Sequence, residues 1–376
     1  MSIIATPAGT RDMLYADCQR RRETENRLSR CFHVRGYREI ETPTLEYYDT
    51  LVSAGNPAQE EELYVLQERS GKICALRPDM TTPIARIAAA KVDLSEPRRF
   101  YYLADVYRAS ERGKGKTQVR QAGVELLGVG GIRADTEVIA LAAETLATTG
   151  MYRIELGHAG FFRKLAESLG ADEAFVEELR GLVNRKNFAS LPDVLSEYRD
   201  KPGFRALCRL PQLFGGEEVL DEALELADGC AGTEELDALR RIYRELQAAG
   251  FGPSVMLDLG LVHQWNYYTG VVFRGYVEGV GAPVLQGGRY DGLLGLLGKD
   301  APATGFSADV DALTSIGAEI PEAPIAFVVY PREGALRRAM DFCQSRPGQC
   351  VCSPYDSEEE SAQYAEKINA RLVVVE

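Results

Sequence analysis

The position of one long helical stretch constrains the fold of this chain more than any other feature of the sequence. Residues 158–250 carry apolar side chains at helical spacing almost throughout. Segments with strand character lie on both sides of this stretch. These segments are Arg99–Tyr107, Val119–Gly128, Ser254–Leu259, Tyr267–Gly275 and Pro283–Leu285. Strands that resume after about 90 helical residues indicate one sheet domain with a helical insertion.

The last part of the chain predicts a small unit of its own. From about residue 320 the pattern alternates between strand and helix. The predicted elements are strands at Ile325–Tyr330, Gln349–Ser353 and Arg371–Val375, with helices at Glu333–Gln344 and Ser357–Ala370. A unit of fewer than about 60 residues is marginal alone and is expected to dock. We therefore predict a core domain over residues 1–318, with the insertion at about 158–250, and a short α/β unit over residues 319–376.

Two local patterns give sharper structural predictions. Residues 135–148 read as a helix with Asp135 at its N-cap, because carboxylates accept hydrogen bonds from the free N–H groups of a first helical turn. Tyr267 and Tyr268 fall on a predicted strand, where neighbouring side chains point to opposite faces. We therefore expect at most one of these two tyrosines to line a given pocket directly.

Charge and hydropathy exclude several classes of function. Asp and Glu total 56 against 43 Lys and Arg, a net charge of −13, so the chain has no general attraction for nucleic acid or an anionic membrane. The longest apolar run, Ala323–Tyr330, is far shorter than the roughly 20 residues that span a bilayer. The N-terminus shows no secretory signal, and we expect a cytoplasmic protein.

The cysteines and histidines argue against a metal site. The chain has eight cysteines and three histidines, without a C-x-x-C pair. The only closely spaced cysteines are Cys350 and Cys352. We expect these thiols to be reduced and mostly buried, and we predict neither a metal nor a cofactor.

One pair of polar residues has a spacing that suggests a binding site. Gln121 and Glu125 are four residues apart, which places them on one face of either a helix or a strand. A carboxylate beside an amide can hold an ammonium group or an imidazole N–H. The spacing alone is equally compatible with the alternative, a solvated polar face.

Three further segments carry weaker signals. Tyr267 and Tyr268 are expected either in a pocket or in core packing. Gly287 and Gly288 permit a close approach of the backbone or a positive φ. The basic loop of residues 112–116 is expected either to meet a phosphate or to be a plain solvated loop.

Six motifs together resemble the catalytic core of class II aminoacyl-tRNA synthetases, and within that class the histidyl branch. They are PAGTRD (7–12), GYREIETPTLE (36–46), LRPDMTTPIAR (76–86), QAGVELLG (121–128), NYYTGVVF (266–273) and GGRYDGLLG (287–295). The resemblance covers about residues 5–313 and includes the position of the helical insertion. It implies an α+β fold: a class II aminoacyl-tRNA synthetase-like antiparallel sheet core with helices, a helical insertion and a small C-terminal α/β unit.

Departures from the synthetase pattern fall on the residues that would activate an amino acid. Ala312 stands where the synthetases have an arginine that stacks on ATP, and alanine can neither stack nor neutralise phosphate. Ser110 replaces a glutamate of the earlier ATP-binding motif. His263 and Asn266 replace an arginine and an aspartate of the histidyl signature. The C-terminal unit is also too short for the tRNA-reading domain.

With its adenylation motifs degraded and its amino-acid pocket retained, the chain resembles the regulatory subunits of ATP phosphoribosyltransferase, a family of histidyl-synthetase paralogues. That resemblance implies a non-catalytic, allosteric protein of histidine biosynthesis. It would assemble with the short-form catalytic subunit into a hetero-oligomer, and it would confer feedback inhibition by histidine. A homodimer through the motif around residues 37–46 is also implied. The alternatives are a divergent histidyl-tRNA synthetase and a free-standing histidine-binding protein.

The same resemblance implies a set of histidine-binding residues and no catalytic residue. The set is Asp79, Thr81, Arg108, Gln121, Glu125, Tyr267 and Tyr268. The carboxylates of Asp79 and Glu125 would take the ammonium group, and Arg108 would take the carboxylate. Gln121 and a tyrosine hydroxyl would serve the ammonium group or the imidazole.

Overall fold

The computed structural model describes residues 4–54, 62–109, 115–227, 232–262, 267–317 and 324–376. The chain divides into two compact units. The first unit comprises Met1–Met13 and Arg20–Gly317, and the second comprises Leu14–Gln19 and Ala318–Glu376. None of the helices within the described ranges combines the length and the apolar character that a membrane crossing requires.

The first unit is built on two β-sheets. Its strands are β1 (Arg38–Glu39), β2 (Leu45–Tyr47), β3 (Val65–Gln67), β4 (Ile73–Leu76), β5 (Arg98–Tyr107), β6 (Gln118–Leu127), β7 (Tyr152–His158), β8 (Phe214–Gly215), β9 (Val255–Asp258), β10 (Val271–Val277), β11 (Leu285–Arg289) and β12 (Ala303–Asp309). Nine of these strands form the large sheet in the order β1-β5-β6-β12-β11-β10-β7-β9-β8, and β2, β4 and β3 form the small one.

Helices surround these sheets. The first helix, α1 (Tyr15–Val34), belongs to the first unit from Arg20 onwards. The other helices of the first unit are α2 (Tyr48–Ala54), α3 (Thr81–Lys91), α4 (Ile132–Ala147), α5 (Ala159–Leu169), α6 (Glu173–Asn184), α7 (Leu191–Val194), α8 (Phe204–Arg209), α9 (Glu218–Ala227), α10 (Thr233–Ala248), α11 (Leu293–Leu296) and α12 (Val310–Ile316). Short 3₁₀ turns lie at Ser196–Tyr198, Leu210–Gln212 and Gly252–Ser254.

The large sheet is antiparallel at its centre and mixed towards its two ends. All neighbours from β5 to β7 in the sheet order pair antiparallel, as the family resemblance predicted. The pairs β1–β5 and β7–β9, outside this antiparallel centre, are parallel. Parallel neighbours need a crossover connection, whereas antiparallel neighbours can be joined by a tight turn.

The predicted helical insertion is the crossover between β7 and β9. Helices α5–α10 lie between these two adjacent parallel strands in the chain. Their apolar stripe, which includes Leu236, Leu239 and Ile242, belongs to the same buried cluster as Ile154 and Leu156 of β7. The insertion therefore shares one hydrophobic core with the sheet.

The second unit contains a three-stranded parallel sheet. Its elements are β13 (Phe327–Pro331), α13 (Leu336–Gln344), β14 (Cys350–Cys352), α14 (Glu358–Lys367) and β15 (Arg371–Val375). The strand order is β14-β13-β15, with both pairs parallel. This arrangement confirms the alternation of strand and helix that the sequence predicted for the tail.

The N-terminus of α4 differs from the prediction. The helix begins at Ile132, and Gly131 precedes it with a φ of 91°, a conformation that glycine adopts without strain. Asp135 lies inside the first turn and forms a buried ion pair with Arg289, with 2.8 Å between Nη2 and Oδ1. The prediction of Asp135 as the N-cap was therefore wrong, because a distant arginine binds its carboxylate.

Candidate functional site

One face of the large sheet forms the floor of a buried cavity in the first unit. All seven residues of the predicted set line it: Asp79, Thr81, Arg108, Gln121, Glu125, Tyr267 and Tyr268. The other lining residues are Met80, Tyr102, Gln286, Tyr290, Gly305, Phe306 and Ser307. The structure thus brings together side chains that are up to about 190 positions apart in the sequence.

Strand β6 supplies the polar floor of this cavity. Gln121 and Glu125 are separated by two strand repeats, so both side chains project from the same face. Both are buried, and Glu125 is only 2% exposed. The spacing therefore produces a buried pair, and the alternative of a solvated polar face was wrong.

Glu125 is held by two hydroxyl groups. The Thr81 hydroxyl donates to Oε1 at 3.0 Å, and the Tyr290 hydroxyl donates to Oε2. Burial raises the pKa of Glu125 to about 8, although these two hydrogen bonds act in the opposite direction. A cationic ligand beside this carboxyl group would favour its ionised form and lower its pKa.

The absence of a side chain at Gly305 makes room for Glu125. Gly305 lies directly opposite Glu125 in the pairing of β12 with β6. A Cβ atom at Gly305 would lie 1.9 Å from Oε2 of Glu125, which no side chain can tolerate. The glycine is thus required by close packing, since its φ is not in the left-handed region.

Asp79 enters the cavity from the start of helix α3. Its Oδ1 accepts a hydrogen bond of 2.8 Å from the backbone N–H of Thr82, which satisfies one of the free donors of the first turn. Burial raises the pKa of Asp79, while the hydrogen bonds from Thr82 and the positive charge of Arg108 act to lower it. The helix start therefore fixes a second carboxyl group in the cavity.

Arg108 is the basic residue of the cavity lining. It follows strand β5, and its Nε donates to the carbonyl oxygen of Pro78 at 2.9 Å. This bond fixes the guanidinium beside Asp79. Two acidic groups and one guanidinium therefore share the lining, which suits a ligand that carries both positive and negative charge.

Tyr267 and Tyr268 both line the cavity, which corrects the prediction that at most one would. Strand β10 begins only at Val271, so strand alternation does not apply to the two tyrosines. Their ring centroids are 4.6 Å apart. The Tyr268 carbonyl accepts a 2.9 Å hydrogen bond from Arg163, which anchors this segment.

The double glycine of β11 lies on a strand and not in a turn. A Cβ atom at Gly288 would lie 2.8 Å from the ring of Tyr268. The expected close approach is thus confirmed, because the backbone oxygen of Val271 and the ring of Tyr268 occupy the space that a side chain would need.

Sequence reasoning missed Tyr290, Gln286 and Ser307 as cavity residues. Gln286 and Tyr290 are separated by an even number of residues along β11 and its end, so they share a face. Ser307 lies opposite Gln286 in the pairing of β11 with β12. The alternation around GGRYD indicates that Gln286 and Tyr290 share a face. Ser307 could not be found in this way, because the register between β11 and β12 is not a local property of the sequence.

The cavity is narrow in this conformation. The space open to the centres of water molecules is about 20 Å³, enough for about one water. Tyr267, Tyr268 and Tyr290 form an aromatic cluster beside it, with 5.9 Å between the ring centroids of Tyr267 and Tyr290. A ligand of amino-acid size therefore requires movement of the surrounding side chains.

A second cavity, of about 540 Å³, lies beside Ala312 on helix α12. Among the described residues, two of its four basic side chains pair with carboxylates of β12 and α12: Lys116 with Asp309 at 2.8 Å, and Arg11 with Asp311 at 3.2 Å. The other two are Arg21 and Arg120. Ser110 and residues 111–114 of the basic loop lie outside the described residues, as do His263 and Asn266. Within the described parts of the chain, no group of acidic, histidine and cysteine side chains is arranged to hold a metal ion.

Comparison with curated proteins identifies close relatives along nearly the whole chain. A protein of Clostridium kluyveri named ATP phosphoribosyltransferase regulatory subunit is 35% identical, with 98% of each chain covered. A protein of Moorella thermoacetica with the same name is 39% identical, with 89% of each chain covered. The family model described as histidyl-tRNA synthetase matches residues 9–313.

Solved structures give the same assignment. A structure from Bacillus halodurans, titled ATP phosphoribosyltransferase regulatory subunit/histidyl-tRNA synthetase, has a TM-score of 0.84 at 29% identity and covers 99% of this chain and 98% of that chain. A histidyl-tRNA synthetase from Nostoc has a TM-score of 0.76 at 19% identity, with 99% of this chain and 91% of that chain covered, and shares the fold. The chain belongs to the family of ATP phosphoribosyltransferase regulatory subunits, which is built on the fold of histidyl-tRNA synthetase.

Proposed function

We propose that this chain activates a short-form ATP phosphoribosyltransferase catalytic subunit and makes it sensitive to histidine, without catalysing a reaction itself. The observation that carries the ligand assignment is the buried lining that combines Glu125 and Asp79 with Arg108. Family membership supports the regulatory role in histidine biosynthesis.

The charges of the cavity match those of a free amino acid. The guanidinium of Arg108 would bind the α-carboxylate, and Asp79 and Glu125 would bind the ammonium group. Gln121 and a tyrosine hydroxyl would serve the ammonium group or the imidazole ring. This arrangement favours histidine over apolar amino acids, because an apolar side chain would leave buried polar groups of the site without partners.

The narrowness of the cavity supports a regulatory rather than a storage role. Because a ligand of amino-acid size must displace neighbouring side chains, the bound and free conformations differ. A ligand shifts an equilibrium between two assembly states only by its difference in affinity for them. A tenfold shift requires about 1.4 kcal/mol of differential binding.

The second cavity supports the proposal that adenylation is lost. Ala312 offers no guanidinium from helix α12, and Lys116 and Arg11 are paired with Asp309 and Asp311, while Arg21 and Arg120 also line the cavity. A divergent histidyl-tRNA synthetase would need these positive charges for ATP. ATP–pyrophosphate exchange that depends on histidine would favour this rival.

The small sheet supports a homodimer as part of the proposal. Tyr47 and Leu66 lie on either side of Cys74 and share one face of the sheet, and Leu45 lies two residues from Tyr47 on β2. All three apolar side chains are more than 40% exposed. An exposed apolar face of this kind is typical of a protein–protein contact, and we assign it to a second copy of the chain.

The dimer assignment is tested by sedimentation equilibrium of the free protein. We expect the wild type to be a dimer and Leu66→Glu to be largely monomeric. Ile73→Glu is the matched control, because Ile73 is 50% exposed but belongs to the opposite face. Equal dimerisation of Leu66→Glu and Ile73→Glu would overturn the assignment.

Reconstitution tests the function. The chain is mixed with the short-form catalytic subunit of its own source, and phosphoribosyl-ATP formation is followed with and without the chain. We expect activity that requires this chain. If the catalytic subunit is equally active alone, the regulatory proposal fails.

A further inference from the structure

Three cysteines meet in the second unit. The Sγ atoms of Cys343 and Cys352 are 3.6 Å apart, a thiol contact in which either group can donate. Cys350 also lies close enough to Cys343 to hydrogen-bond with it. The cysteines were expected to be reduced and mostly buried; these three are free thiols, but they are only partly buried.

The topology of the unit explains why these thiols meet. Cys350 and Cys352 are two residues apart on β14, so their side chains project from the same face of the strand. Cys343 lies in the last turn of α13, which precedes β14 in the chain. All three are only partly buried, so a small oxidant can reach them.

We propose that Cys343 and Cys352 form a reversible disulfide that ties the end of helix α13 to strand β14. Closing the contact from 3.6 Å to a bond length of about 2 Å requires only a small rotation of the side chains.

The bond forms by thiol–disulfide exchange with a low-molecular-weight disulfide such as oxidised glutathione. The thiolate of Cys352 attacks one sulfur of glutathione disulfide and releases one glutathione. The thiolate of Cys343 then attacks the mixed disulfide and releases the second glutathione. Two cysteine thiols are oxidised, one glutathione disulfide is reduced, and the two cysteine protons pass to the two glutathione thiolates.

Burial raises the pKa of Cys343, and so does its hydrogen bond with Cys352. The exchange balances equally with Cys343 as the first nucleophile, because the two sulfurs are already in contact and either can attack the mixed disulfide of the other.

The consequence would be a covalent restraint on an edge of the sheet. In the order β14-β13-β15, strand β14 is paired on one side only. A disulfide to α13 would hold this edge strand more tightly and disfavour its separation from β13. The inference is independent of the proposed regulatory function.

Mass spectrometry of the full-length folded protein tests the pairing. The protein is oxidised with glutathione disulfide, unfolded, alkylated and digested with trypsin. Because Pro347 follows Arg346, one peptide from Ala339 to Lys367 retains all three cysteines. We expect one alkyl group on this peptide after oxidation, and three after reduction with dithiothreitol.

Three variants assign the pair. Cys350→Ser should retain the disulfide and give no alkyl group on the oxidised peptide. In Cys343→Ser and Cys352→Ser the exchange lacks its second step, so the remaining cysteines should be found as alkylated thiols or as mixed disulfides with glutathione, with no internal disulfide. Three alkyl groups on the oxidised wild-type peptide would overturn the proposal. An internal disulfide that persists in Cys343→Ser or Cys352→Ser would overturn it as well. The urea midpoint should rise on oxidation in the wild type and stay unchanged in Cys343→Ser.

Discussion

The hydroxyl of Tyr290 donates a hydrogen bond to Glu125, although 165 residues separate them in the sequence. The neighbouring Arg289 forms its ion pair with Asp135 of helix α4. One strand end thus connects the floor of the cavity with a helix of the core. This connection gives the cavity a defined geometry.

Replacement of Tyr290 by phenylalanine should weaken histidine binding without unfolding the protein. The variant keeps the ring but leaves one carboxylate oxygen of Glu125 without its donor. The bound ammonium group would ionise Glu125, and a hydrogen bond to a charged group contributes about 1.5–3 kcal/mol, so the Kd should rise by roughly 10- to 150-fold. Isothermal titration calorimetry measures this. Tyr330→Phe is the matched control, because it removes a hydroxyl bond to Asp356 in the other unit.

The raised pKa of Glu125 predicts a pH dependence of stability. In the folded chain this carboxyl binds a proton up to a pKa of about 8, whereas in the unfolded chain it loses the proton near pH 4.5. Between these values the folded state binds more protons, so stability must fall as the pH rises. The slope from this group approaches about 1.4 kcal/mol per pH unit.

Urea unfolding from pH 5 to pH 9 measures this slope. The wild type should lose stability relative to Glu125→Gln as the pH rises to about 8, and the difference should level off above it. Other titrating groups are common to both proteins and cancel in the comparison. Parallel curves for the two proteins would contradict the burial of a protonated Glu125.

Gly305→Ala should disrupt the cavity, although it adds only one methyl group. The added Cβ would overlap with Oε2 of Glu125, so either the side chain or strand β12 must move. Overpacking of this kind costs about 1–3 kcal/mol, and we expect histidine binding to be lost with it. Gly281→Ala is the control, because it faces open space and should leave both urea stability and binding unchanged.

Asp135→Asn should destabilise the first unit, because it leaves Arg289 buried without its main counter-charge. Both side chains of the pair are only 8% exposed. Breaking a buried ion pair lowers the free energy of unfolding by about 3–5 kcal/mol. Arg289 keeps its ion pair with Asp291, so we expect a loss of about 3 kcal/mol. Urea unfolding compares this variant with Asp237→Asn on the exposed face of α10, which should be neutral.

The sequence predicted the parts of the site that depend on local spacing. Gln121 and Glu125 share a face because of strand periodicity, and this holds wherever the strand pairs. Tyr267 and Tyr268 were predicted in the site, but their assignment to a strand was wrong, because the start of β10 at Val271 is set by its pairing with β7. A four-residue error in one strand end changed which faces the two rings occupy.

The remaining features were missed because they depend on residues that are distant in the sequence. Asp135 was read as a cap because its partner Arg289 is 154 residues away. Strands β7 and β12 were not predicted from the sequence. Strand β12 consists largely of small buried residues, so it lacks a clear alternating pattern. Tyr290 and Ser307 join the site only through the register of β11 and β12.

The most direct test of the central claim is histidine inhibition of the reconstituted complex. Phosphoribosyl-ATP formation is measured against histidine concentration with wild type, Glu125→Gln and Glu178→Gln, the last a substitution on the exposed face of α6. All three should activate the catalytic subunit equally, and only Glu125→Gln should lose inhibition by at least tenfold. Unchanged inhibition of the Glu125→Gln complex would contradict a regulatory histidine site in this cavity.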